Sequence, residues 1–408
     1  MGTGDRFGRQ GKAQLQAIME AASEGVELTP VWNKSHREHT ITGSSPADTR
    51  EEADAAVKEL GWTGDYFVDA DHIHLANVEP FLPYCDFYTM DVAEAIGKPV
   101  PREETEAFIA EHATPGGVIH LPGMDSPIPA GEEYLRRFAR QYLHAINEAE
   151  RLYNHLTSRV DPSRIVIEVS MDEVDIPQSP ADLYFILKLL AEKNIPVQTV
   201  APRFSGRFNK GVDYVGDLHK FEEEFEQDLV VLSHARASFG LPETLKLSIH
   251  SGSDKFSLYP LIGRLIRKYD QGIHLKTAGT TWLEELIGLA LAGGAATDMV
   301  KHIYAEAIRR MNELTAPYAE VIDIDVSFLP SPSEFNQWDG EHIASVLRHE
   351  PGHPAFNPHV RQLMHVAYKV AAELGEEYLK MIGQHEGIIA PQVRENLLER
   401  HIRRLFYS

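Results

Sequence analysis

The chain has 408 residues, and 39 Lys+Arg against 61 Asp+Glu leave a formal net charge of −22 with His neutral. Hydrophobic residues at 43% and charged residues at 25% support a large core and exclude wholesale disorder. The acidic balance repels phosphate backbones and argues against a nucleic-acid partner, and a single cysteine, Cys85, excludes an internal disulfide and fits a reducing compartment.

Met1-Gly2-Thr3-Gly4-Asp5-Arg6 is followed by no apolar signal region, and Arg6 stands where a myristoylation signal takes Ser or Thr. No run approaches the roughly 18 uninterrupted apolar residues of a membrane helix. A soluble, cytoplasmic protein without membrane partners is expected. From there β-rich runs alternate with amphipathic helical stretches, the pattern of a parallel sheet. Strands are expected at Leu28–Trp32, Tyr66–Ala70, Phe87–Asp91, Ile165–Ser170, Pro196–Val200, Lys246–His250, His274–Thr277 and Val321–Phe328. Between them, Ser45-Pro46 and Ser179-Pro180 place a capping hydroxyl ahead of a Pro at the first helical position. Helices are predicted over Glu132–Leu156, Ala181–Lys193, Ser257–Tyr269, Trp282–Leu291 and Asp298–Leu314, with a helical tail from Asn357 to Leu405. Eight strands with intervening helices point to an α/β fold, a (β/α)8 TIM-type barrel with helical insertions and a helical C-terminal extension. Residues 1–330 would form the barrel, with an insertion at about 92–160 that can cover its mouth. Residues 331–408 would pack on it as the extension, or on a neighbouring copy in a homo-oligomer.

In such a barrel, polar groups at the C-terminal ends of the strands face the site. Glu168 lies within Ile165-Val166-Ile167-Glu168-Val169-Ser170, where a carboxylate costs several kcal/mol of desolvation unless it is paired or bound to metal. If Val166, Glu168 and Ser170 share a face, that face looks into the barrel. His250 and His274 sit on two later, neighbouring strands, and with Glu168 they make a two-imidazole, one-carboxylate set suited to a catalytic divalent ion. Asp71 and His72 compete for the same ion. Lys276, one alternating step beyond His274, is read as a Schiff-base former, an electrostatic stabiliser of an enolate oxygen, or the ion-pair partner of Glu168. Arg203, Arg207 and Lys210 surround a Gly turn, and Thr277–Trp282 follows a strand and opens a helix, so both loops suit an anion. His349-Glu350-Pro351-Gly352-His353 has the letters of a zinc-protease motif, but Pro351 and Gly352 forbid the continuous helix which that chemistry needs. No dinucleotide fingerprint, P-loop or nucleophile elbow is present.

Gly4-Asp5-Arg6-Phe7-Gly8, Glu168 to Glu173, Ala201-Pro202-Arg203-Phe204 through Asn209 to Tyr214, His250 to Phe256, and Lys276-Thr277-Ala278-Gly279-Thr280 resemble the tagaturonate epimerase family over most of the chain. The resemblance implies interconversion of D-tagaturonate and D-fructuronate, with D-fructose/D-tagatose as neutral counterparts, and a divalent-metal cofactor. His and carboxylate ligands admit Zn, Mn, Co, Ni or Fe. The inverted carbon is β to the ketone, so proton exchange next to the carbonyl does not reach it. Hydride return or retro-aldol cleavage does, and the missing dinucleotide fingerprint favours cleavage. Metal binding is expected at Glu168, His250 and His274 and proton transfer at Asp71 or His72. Arg203, Lys210 and Lys255 are the candidates to hold the substrate carboxylate, and Trp282 to wall the pocket. The partner is then a small keto-hexuronate or ketohexose. The competing readings are a metal-dependent aldolase of keto-sugar acids and a non-catalytic sugar-acid-binding barrel.

Overall fold

The computed structural model describes residues 1–172, 174, 176–250, 253–277 and 279–407. Glu173, Ser251, Gly252 and Ala278, which belong to the sequence blocks above, lie outside the described residues. Eight strands form one parallel sheet: β1 (Gly2–Gly4), β2 (Val31–Ser35), β3 (Phe67–Ile73), β4 (Phe87–Asp91), β5 (Val166–Ser170), β6 (Thr199–Ala201), β7 (Lys246–Ile249) and β8 (Ile273–Leu275). Each pairs with the next in chain order, so the sheet curls into a nearly closed barrel with helices outside, the TIM-like α/β arrangement. At the seam, a Cβ added to Gly2 of β1 would stand 2.4 Å from Asn33 Oδ1 and 3.2 Å from His274 Nε2 of β8. Glycine is what lets the first and last staves approach.

Seven of the expected strands overlap observed ones. The eighth does not: Val321–Phe328 holds only a short 3-10 turn at Val326–Phe328, and the missing stave is Gly2–Gly4. The apolar residues Val321, Ile322 and Ile324 are half-buried against the C-terminal helices. Their backbone bonds go elsewhere, with Val321 O accepting from Lys210 N and Asp323 N donating to Gln362 Oε1.

The helices begin where the sequence places caps. Ser45 opens Pro46–Leu60 and Ser179 opens Pro180–Glu192, each in a reciprocal capping box with an Asp three residues on. The insertion after β4 carries helices Arg102–His112 and Glu132–Thr157 and a two-strand hairpin, Val118–Ile119 with Ile128–Pro129. After β8, helix Thr281–Ala292 is buried on nearly every face and forms the centre of a second apolar core with the helices that follow. The last turns return to the barrel, where Leu397, Leu398, Ile402 and Leu405 join the first core. No helix among the described residues is long and apolar enough to cross a membrane.

The strand alternation sends Ile167 and Val169 outward to the helices and Glu168 inward, where it is wholly buried. Its neighbours in register are polar too. Asn33 lies beside Asp69, Thr89 beside Glu168, Glu168 beside Thr199, and Ser248 beside His274. Seven consecutive strands, β2 to β8, each give one buried polar side chain to a single layer across the barrel.

Candidate active site

Polar groups removed from water must satisfy one another, and this layer does so around two carboxylates. Glu168 Oε1 is 2.7 Å from His250 Nε2, and Oε2 accepts from Thr199 Oγ1 at 2.6 Å and lies 2.9 Å from His274 Nδ1. Asp69 accepts from Asn33 Nδ2 at 2.5 Å and from Thr89 Oγ1 at 3.0 Å. Lys276 Nζ completes the circuit, 2.6 Å from Asp69, 2.9 Å from Asp71 and 3.3 Å from Glu168, and it donates to Thr89.

The charges decide the protonation states. Burial opposes ionisation of Glu168, but Lys276, His250 and His274 prevail and hold it well below the usual carboxylate range. Lys276 is opposed by burial too, yet its three carboxylates raise it well above an ordinary lysine. Of the three sequence readings for Lys276, the ion pair with Glu168 is present in the geometry, at 3.3 Å. Burial raises Asp69 to about 6, whereas Asp71, next along the strand face, is lowered by Lys276 and His72 against its own burial. Burial lowers His274 to about 4.

Above this layer the β3 strand is irregular. Its register with β4 shifts between Ala70 and Ile73, and His72 adopts a left-handed backbone with φ 52°. Such a bulge re-aims side chains, here turning Asp71 and His72 into the barrel mouth. Thr277 after β8 (φ 52°) and Asp254 after β7 (φ 61°) are also left-handed.

In that mouth His72 Nδ1 lies 2.7 Å from Asp71 Oδ1, and the ring's Nε2 faces Asp172 Oδ1 at 3.7 Å. His250 mirrors it: Nε2 is bonded to Glu168, and Nδ1 is 3.0 Å from the same Asp172 oxygen without hydrogen-bond geometry. Both outward ring nitrogens are buried and, among the described residues, lack a hydrogen-bond partner. His72, Asp172 and His250 bring ligand atoms within 4.8 Å of one another, as a metal-holding group requires. Burial works against both imidazolium ions, but Asp71 and Asp172 hold His72 well above its ordinary value, and Asp172 and Glu168 lift His250 to about 9. The pocket thus favours a positive charge between these atoms.

Glu168, His250 and His274, the expected set, meet as hydrogen-bonded neighbours in the barrel layer, and His72, the competing candidate, lies with His250 in the group in the mouth. Asp172, two residues beyond β5, was given no role by the sequence, although it stands in the Glu168–Glu173 block and is the first carboxylate after that strand's end.

A cavity of about 680 Å³ opens over these atoms, with Asp71, His72, Asp172, His250 and Lys276 on its floor and Lys210 on its wall. Helix Glu132–Thr157 of the insertion contributes His144, Glu148 and Leu152, so the insertion does flank the mouth. A second cavity of about 660 Å³ adjoins it, sharing Arg37, Glu94, Asp172, Lys210 and His250, and Arg203 lies there.

Two substrate-side candidates are not brought to either cavity. Lys255 is buried with Nζ donating to the carbonyls of Asn209, Val212 and Ser253, so it fastens two loops. Trp282 is buried in the second core against Phe7 and Tyr378, its indole N–H donating to Met364 O at 2.7 Å. Of the two anion loops, Arg207 pairs with Asp323 at 3.0 Å, and the Thr280 N–H donates to Asn396 Oδ1. His349 to His353 is not helical, as its Pro and Gly require, and His349 Nδ1 lies 3.0 Å from Asp254.

A family model described as tagaturonate epimerase matches residues 1–115 and 121–405. A tagaturonate/fructuronate epimerase of Thermotoga maritima is 27% identical over 417 residues, which cover 98% of this chain and 79% of that protein. Two crystal structures of fructuronate-tagaturonate epimerase from Cohnella laeviribosi, complexed with one and with two glycerols, align with TM-scores of 0.81 and 0.83. Their identities are 25% and 24%, over 99% of this chain and 80% of theirs. With nearly its whole length matched, the chain belongs to the tagaturonate epimerase family, a family of carbohydrate epimerases.

Proposed function

We propose that this enzyme interconverts D-tagaturonate and D-fructuronate by inverting the ketose C4, with His72, Asp172 and His250 as the seat of a divalent ion. The observation that carries this is the pair of orphaned ring nitrogens converging on Asp172 in the barrel mouth. The donor set fits such an ion. Each imidazole gives its inner nitrogen to a carboxylate, Asp71 for His72 and Glu168 for His250, which fixes the ring's orientation and turns the outer nitrogen toward Asp172. Two His and one carboxylate suit Zn, Mn, Co, Ni or Fe. When bound, the ion would supply Lewis acidity to the keto oxygen and its neighbouring hydroxyl.

The protein's own groups do the rest. Lys276, fixed as an ammonium on the cavity floor, offers positive charge to a sugar oxygen as it becomes anionic. Asp71 receives from both His72 and Lys276, so it aligns the ligand with that ammonium. Because C4 is β to the ketone, cleavage and re-formation of the C3–C4 bond is the route these groups serve, with Asp71 or His72 taking the C4 hydroxyl proton on cleavage and returning it on re-formation, and the chain has no dinucleotide fingerprint for a hydride route. D-fructose and D-tagatose carry the same C2–C4 atoms and differ at C6, so the choice between acid and neutral sugar is made away from the reacting carbons.

The test is NMR of EDTA-treated protein with D-fructuronate in D₂O, before and after Mn²⁺ or Zn²⁺. D-tagaturonate formed only with metal, and without deuterium at C4, is the expected result. Full turnover after complete metal removal would sink the metal assignment, and free three-carbon products would replace the epimerase by an aldolase.

A further inference from the structure

Most cations near the two cavities are already committed. Lys276 is enclosed by Asp69, Asp71 and Glu168. Arg6 pairs with Glu38 at 3.3 Å and lies 4.5 Å over the Tyr368 ring, and Arg207 pairs with Asp323. Besides Lys98 in the first cavity, two guanidiniums remain, Arg37 and Arg203. Among the described residues neither has a carboxylate within ion-pair distance.

Their positions separate them. Arg203 lines only the second cavity, whereas Arg37 lines both, at the junction that also holds Asp172 and His250. Arg37 is exposed, and its guanidinium lies over the Tyr318 ring, 5.0 Å from the centroid. Lys210 Nζ stands 5.8 Å from the same ring. The Tyr318 hydroxyl is in turn held 3.0 Å from that of Tyr368. Stacking uses the flat face of a guanidinium and leaves its edge donors for a planar anion, which they match in a two-pronged contact. Glu94 lines the junction as well, so recognition here relies on directed donors rather than on a uniformly positive field.

We propose that Arg37 selects the sugar acid: stacked on Tyr318 at the junction of the two cavities, its guanidinium edge takes the terminal carboxylate of the substrate. This rests on the sugar-acid epimerase reading above. It assigns the specificity for acid over neutral sugar to the helix after β2, His36–Thr42, and to a tyrosine of the C-terminal helical region.

The experiment compares wild type, R37M, R37K and R203M, measuring KM for D-fructuronate and the inhibition constant of neutral D-fructose. A charge-assisted contact predicts a KM for the acid about 10- to 100-fold higher in R37M, with partial recovery in R37K. The fructose constant is expected to move less than about threefold. An unchanged KM for the acid, or equal shifts for acid and neutral sugar, overturns the proposal, and a larger loss in R203M moves the role to Arg203. If wild type turns over no D-fructuronate, the epimerase reading fails separately. Calorimetric titration with D-fructuronate then decides for Arg37: weaker binding to R37M upholds it, and binding equal to wild type, or none to either, removes it.

Discussion

Glu168 Oε1 and His250 Nε2 lie 2.7 Å apart in the sealed interior of the barrel, and that contact turns the other imidazole nitrogen toward Asp172 in the mouth. A carboxylate that does not line the cavity thereby sets the orientation of an imidazole that does.

Replacing Glu168 with Gln keeps the size and removes the charge. The E168Q protein is expected to bind its divalent ion about 10- to 100-fold more weakly and to lose activity in proportion. Metal analysis after dialysis, read beside turnover, checks this. Unaltered metal content together with unaltered activity would show that Glu168 does not orient the site.

Asp172 supplies the only non-imidazole atom of the proposed ligand set. Asp172→Asn retains the shape and a carbonyl oxygen but drops the negative charge that faces both rings. Metal-restored activity is expected to fall at least about 100-fold while the melting temperature changes little. A normal response of D172N to added metal would refute its assignment.

Lys276 balances three buried acids, so removing it strands charge in a dry interior. Lys276→Met is expected to lower stability by about 3–5 kcal/mol. Adding Asp69→Asn should restore part of that loss, because the pair is coupled. Urea unfolding of both single variants and the double gives the coupling energy; strictly additive losses would mean that the two residues do not interact.

Glu284 is buried in the helix after β8, accepts from Asn396 Nδ2 at 2.9 Å, and is raised by burial from 4.5 to about 7 against the pull of Arg361 and Arg400. A carboxyl raised on folding contributes most below pH 4.5. Its contribution is lost as the pH climbs through 7, because the unfolded chain releases the proton first. Glu284→Gln is neutral throughout. Its stability relative to wild type should therefore improve between pH 5 and pH 8, by on the order of 2–3 kcal/mol. Thermal melts at both pH values test this, and a difference independent of pH would contradict it.

The barrel was legible because most of its strands are Val-, Ile- and Phe-rich runs set between capped helices. The first stave was not, since Gly2-Thr3-Gly4 is three residues with no apolar alternation and low strand propensity. Val321–Phe328 misleads for the opposite reason: its alternation serves the C-terminal helices. At the site, Glu168, His250, His274 and Lys276 stood out as polar residues within or ending apolar strands, and all four share one hydrogen-bonded layer. What periodicity does not carry is which of a histidine's nitrogens faces the cavity. Asp172 carried no such signal, because it stands in the loop after β5 and not in an apolar strand. Arg37 had no signal of its own, being a cation on a short exposed helix whose meaning comes only from Tyr318, some 280 residues away in the chain.

The polar layer that joins β2 to β8 has a consequence for how this protein can change. In a greasy barrel, one methyl more or less is tolerated by small adjustments nearby. Here each member is the counterpart of another on a different strand, so a lone replacement leaves a charge or a donor stranded. Variation at Asp69, Thr89, Glu168, His274 or Lys276 should survive only as matched exchanges. A search for altered enzymes that randomises these positions one at a time will return the parent, and one that varies them together can find alternatives.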